Sequence, residues 1–91
     1  MRIKCAAIWH KGVAHEGRRH HEIGLRMLKE GICGRPYPGG SSQGFVTDDG
    51  QFLNREDAMM VAILAGQVVK GKTHHPRQLF SEDLDATQVP S

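Results

Sequence analysis

The chain opens with RIKCAAIWH (2–10), whose largely apolar run, Cys5 to Trp9, between polar ends reads as a β-strand. Lys11–Gly12 supplies a turn and Val13–Glu16 a short return strand, so the first segment reads as a hairpin. A helix is expected over 19–30. Ile23, Met27 and Leu28 repeat at helical spacing with Leu25 nearby, Arg26 and Lys29 face outward, and Gly31 ends the helix in the left-handed conformation. Residues 31–43, GICGRPYPGGSSQ, are rich in glycine, proline and serine and read as a mobile loop.

A second hairpin follows. Gly44–Thr47 and Gln51–Leu53 flank Asp48-Asp49-Gly50, a turn in which glycine supplies positive φ. Asn54 is suited to cap a helix running to Ala65, with Glu56 and Asp57 favouring its positive dipole end and Gly66 stopping it. This helix is apolar without a break from Ala58 to Ala65. A helix apolar all round needs cover all round. That points to a subunit interface or, alternatively, to a helix sandwiched between the sheet and the first helix. Beyond it, Val68–Val69 suggests a short strand, 70–76 a basic loop, and 77–80 a docking segment. Ser81 suits the start of a short turn through Glu82–Leu84, and 86–91 reads as a frayed tail. The fold expected is α+β. Two β-hairpin–helix units form a small antiparallel sheet packed on two helices, as one oligomeric domain over 1–85.

Composition adds limits rather than chemistry. The 91 residues are 38% apolar and 24% charged, ordinary for a globular chain, and a domain this small has limited surface to bury. No apolar run is long enough for a membrane span, and the apolar core of MRIKCAAIWHKG is too short for a secretory signal. Cys5 and Cys33 are too few for a disulfide framework and read as free thiols in a reducing compartment, Cys5 as a core residue. Net charge is only +2 but unevenly placed. Basic clusters at Arg18–His21 and Lys70–Arg77 on a nearly neutral chain suggest one anionic ligand, or simply a solvated surface, rather than a coat for DNA.

Catalytic constellations are hard to find. The histidines form no HExxH, the cysteines no CxxC, and no phosphate loop or GxGxxG is present. His20 and His21 point about 100° apart on a helix and so do not share a metal easily. The reading is therefore a binding protein without catalytic residues, metal or cofactor. Its candidate site begins at Gly17-Arg18-Arg19-His20-His21. There the free amides and positive dipole end of a helix start, together with arginine forks, can grip a phosphate. Arg55 repeats that logic at the second helix start. Asn54 either caps the helix or reads a ribose or base edge. Phe45 and Phe52 are core residues or base-stacking platforms, and Tyr37 is placed to close over a ligand.

Three stretches carry a resemblance: IKCAAIWHKGVAHEGRRHHEI, GFVTDDGQFLNREDAMMVAILAGQV and LFSEDL, spanning about residues 3 to 84. The chain resembles the first type of anti-Thoeris protein, the phage sponges for immune signalling molecules. The resemblance implies a protein of the infected bacterial cytoplasm that is not an enzyme. It would hide cyclic ADP-ribose isomers such as glycocyclic ADP-ribose without degrading them, from pockets near a homodimer interface. Some members form hexamers and also bind cyclic di- or trinucleotides. On this view Arg18, Arg19, His20, Phe45, Asn54, Arg55 and, at the edge of the basic loop, Arg77 face the ligand. The short glycine-rich segment between the two units departs from the group. A phage inhibitor acting on a host enzyme through protein contacts is the alternative.

Overall fold

The structure, a computed structural model, describes residues 1–88. Strands β1 (Ile3–His10) and β2 (Val13–Gly17) form the first hairpin and lead into helix α1 (His20–Lys29). A short 3₁₀ turn, Gly40–Ser42, precedes β3 (Gln43–Thr47), β4 (Phe52–Asn54) and helix α2 (Arg55–Leu64). A third helix, α3, spans Ser81–Gln88. The four strands make one antiparallel sheet in the order β2-β1-β3-β4. The α+β architecture expected from the pattern is the one found.

Turn chemistry explains the boundaries. Lys11 and Gly12 both take positive φ at the first hairpin, and Gly50 does so at the second. The Asn54 side chain accepts the amide of Asp57 at 2.8 Å and caps α2. Gly31 and Gly66 follow the ends of α1 and α2 with positive φ.

The core lies between one sheet face and the helices. Ile3, Ala6 and Ile8 of β1 and Phe45 of β3 meet Ile23 and Met27 of α1, Ala58, Met59 and Ala62 of α2, and Leu79 and Leu84. On the other face Trp9 and Phe52 meet with ring centroids 5.5 Å apart. Gly44 lies beneath Phe52; a Cβ there would drive into the Leu53 carbonyl and the Phe52 ring.

Several expectations change. Val68–Val69 is not a strand: Val68 is buried in the core while Val69 is exposed, and Gln67 does the pairing instead. The Gln67 side chain accepts the Ile3 amide at 2.7 Å and donates to the Ile3 carbonyl at 2.8 Å. Cys5 is half-buried rather than core. Its thiol donates to Glu16 at 3.4 Å, and burial, with that carboxylate, pushes it up to about 11. The turn expected at Glu82–Leu84 is a helix of two turns, because Asp83 accepts the Phe80 amide at 3.0 Å and holds its start. Of the tail expected over 86–91, residues 89–91 lie outside the described residues.

α2 is neither sandwiched nor wholly covered. Ala58, Met59 and Ala62 are buried, whereas Met60 is 63% and Leu64 86% exposed. The unbroken apolar run thus divides into a core stripe and an open stripe.

Candidate functional site

β2 ends at Gly17, and α1 begins three residues later at His20. The strand passes hard against the helix: a Cβ on Gly17 would come within 2.6 Å of Ile23 Cγ1. Glycine therefore permits the abrupt strand-to-helix turn that places Arg19 at the N-cap. Arg19 carries no acceptor and makes no capping bond, so the first amides of α1 keep their donors and the dipole end stays positive.

His20 turns inward. It is buried, packs edge-on to Phe45 at 5.3 Å, and donates from Nε2 to the Gly44 carbonyl at 2.7 Å. That carbonyl fixes the tautomer and leaves Nδ1 to accept from Arg55 Nη2 at 3.3 Å. Burial is the main reason the His20 imidazole is held below its ordinary pKa, and the nearby Arg55 charge acts in the same direction.

Arg55 is the hub. Its guanidinium donates to His20, to Gln43 Oε1 at 3.0 Å and to the Leu79 carbonyl at 3.0 Å, and lies 4.8 Å from the centre of the Phe80 ring. Its own carbonyl accepts the Leu79 amide at 3.0 Å. One planar fork thereby ties α2, β3, α1 and the segment before α3 together, a geometry lysine cannot reproduce.

Two clefts share Arg55. One, of about 360 Å³, lies at the start of α1 between Arg19, His20 and His21 on one side and Phe80, Ser81 and Glu82 on the other. Glu82 is 3.6 Å from Arg19 across it. The other, of about 400 Å³, is lined by polar side chains, chiefly Gln43, Asn54 and Gln78 beside Arg55. Both volumes fall in the range of small-molecule sites, ~300–1,000 Å³. One cleft joins an open helix start and arginine to an aromatic wall; the other offers amide groups that can both donate and accept.

The residues expected to face a ligand separate into groups. Arg19, His20, Asn54 and Arg55 line these clefts, His20 and Arg55 chiefly as framework. Phe45, expected to face a ligand, is fully buried and lines neither cleft; its ring belongs to the core. Arg18 and Arg77 are exposed and line neither cleft. Tyr37 packs over Gly24, where a Cβ would strike its ring, and its hydroxyl meets His21 Nδ1 at 3.1 Å. Gln43, Gln78, Phe80, Ser81 and Glu82 are lining residues that pattern reasoning missed. The signal for the last three was the LFSEDL stretch, which carries part of the resemblance but whose residues read as a docking segment and turn rather than as a site wall. Among the described residues no group of three histidine, cysteine, aspartate or glutamate side chains is placed to hold a metal ion.

A small α+β chain with a two-lobed polar cleft around a half-buried arginine is the class this geometry defines. The chain belongs to the Phage T4 y16D protein family, whose model matches residues 2–85. No curated protein and no solved structure matches it. None of the helices among the described residues is long and apolar enough to cross a membrane.

Proposed function

We propose that this phage-family protein captures a compact anionic, nucleotide-like signal in the infected bacterial cell and holds it without chemical change. The ligand favoured is a cyclic ADP-ribose isomer, the class implied by the resemblance to anti-Thoeris sponges. The observation that carries the reading is the cleft at the start of α1. There an uncapped helix N-terminus converges with Arg19, Arg55 and the Phe80 ring. Phosphate suits the amides and Arg19; a base suits the aromatic wall or the amide-lined lobe. Glu82 opposes an anion, and capture would turn the Arg19 side chain from Glu82 to the ligand. The reading assigns no catalytic residue.

The same reading takes the protein as a homodimer joined through the open stripe of α2. Met60 and Leu64 lie on one helix face, with Glu56 at its start and Lys70 beyond its end. Two copies packed antiparallel would set apolar against apolar and acid against base, the self-complementarity a two-fold interface needs. That stripe is also the observation favouring the second reading, a surface that grips a host enzyme.

The test mixes pure protein with a cyclic ADP-ribose isomer, filters, and chromatographs the filtrate before and after heating. Ligand lost and then recovered unchanged supports capture. A new product would show an enzyme. Ligand left in the filtrate throughout would reject the cyclic ADP-ribose assignment and turn attention to a protein partner.

A further inference from the structure

Asp83 sits almost wholly buried at the start of α3, its side chain 3% exposed. Its carboxylate accepts the Phe80 amide at 3.0 Å, the His74 amide at 3.0 Å and His74 Nδ1 at 2.5 Å. One acid therefore fastens both ends of segment 74–80 to the helix. His74 itself is 56% exposed, so the pair has a wet side through which a proton can come and go.

Phe80 links this pair to the cleft. Its ring lies 6.4 Å from His74 and 6.3 Å from His75 on one side, and 4.8 Å from the Arg55 guanidinium on the other. Phe80 and Ser81 form the outer wall of the α1 cleft. We propose that His74 and Asp83 form a protonation-dependent latch that holds Phe80 in place as the wall of that cleft. The functional weight of the latch rests on the capture reading above; its existence does not.

The charges around His74 set the direction. Asp83 and Glu82 act on it from α3; from its own loop Lys72 shares with His74 and Asp83 a hollow of about 290 Å³, while the adjacent His75 ring lies against Phe80. The hydrogen bond to Asp83 is the main cause holding the imidazolium above its ordinary pKa. Burial works against the Asp83 charge, but the Phe80 amide and the His74 donors outweigh it and keep the carboxyl below its usual range. The latch is thus fully made above the ordinary carboxylate pKa and below the ordinary histidine pKa. It loosens as pH rises through the raised His74 value, and separately as pH falls through the lowered Asp83 value. Above the upper edge a neutral imidazole still donates, but the bond loses its charge assistance.

The test needs no ligand. Backbone amide exchange in the free protein is followed from pH 5.5 to 9 and corrected for intrinsic chemistry, while His74 is titrated by NMR. Protection at the Phe80 and His74 amides is expected to fall about three- to tenfold across the His74 titration, with the Thr47 amide of the sheet as an unmoving reference. His74→Gln should remove that step without unfolding the chain, because the side chain is largely in water. Asp83→Asn should lower protection at both amides at every pH. A Phe80 amide that ignores the His74 titration, or the same step in His74→Gln, would overturn the latch. Failure to capture cyclic ADP-ribose would leave these measurements standing.

Discussion

The Gln67 side chain pairs with both backbone groups of Ile3, behaving as one residue of an extra strand. β1 and β3 slip register by a bulge between Ile3 and Cys5, so the start of β1 needs another partner. Gln67 is 3% exposed and Ile3 equally buried, so water has little access to replace the amide. Gln67→Leu, which keeps the volume and removes the polar atoms, is expected to lose roughly 2–4 kcal/mol in urea titration. A loss below about half a kcal/mol would mean that solvent reaches Ile3.

Arg55 combines support and site. Arg55→Lys keeps the charge but cannot serve His20, Gln43 and the Leu79 carbonyl together. It is expected to lower stability by roughly 1–3 kcal/mol and to weaken capture. Arg19→Ala should weaken capture with little change in stability, since its ion pair with Glu82 is long and partly exposed. Equal stability losses in the two variants would contradict this division of labour.

His20 predicts an acid-side weakness. Its folded pKa is depressed, so the unfolded chain binds a proton first as pH falls below 6.5. Stability should therefore fall with pH below that point until the depressed native value is reached. His20→Gln, neutral throughout, should flatten this part of the curve in thermal unfolding followed from pH 7.5 to 4.5. An unchanged slope would show that folding does not depress the His20 pKa.

The open stripe of α2 separates association from folding. Leu64 is 86% exposed, so Leu64→Glu is expected to shift stability within about half a kcal/mol. If two copies meet there, the same change brings light scattering from dimer to monomer. A wild-type chain already monomeric at micromolar concentration would remove the interface.

Much of this architecture is written locally. Lys11–Gly12, Gly50, Asn54 and Gly66 each dictate a turn, cap or stop through their own backbone preferences, and those elements fall where expected. What depends on long-range contacts is not so written. Phe45 looks equally suited to core and ligand until His20 and α1 are seen to cover it. Arg55 reads as a phosphate grip until three acceptors from three segments converge on it. In α2 the row of apolar residues conceals its periodicity, because methionine serves both stripes, Met59 in the core and Met60 in the open. Gln67, just past the stop of α2, carries no hint of Ile3, sixty-four positions away.

The strand order has a consequence for how the chain comes off the ribosome. β1 lies inside the sheet, yet its inner neighbour β3 is made only after α1 and the loop that follows. Until Gln43–Thr47 emerge, the nascent hairpin offers a bare edge of unpaired amides and carbonyls, and Ile23 and Met27 have half a core to rest on. The two look-alike halves are thus not separate folding units. Cut between the halves, the pieces 1–39 and 40–91 would each carry an unfinished sheet and should recognise one another on mixing, reassembling across the β1–β3 seam.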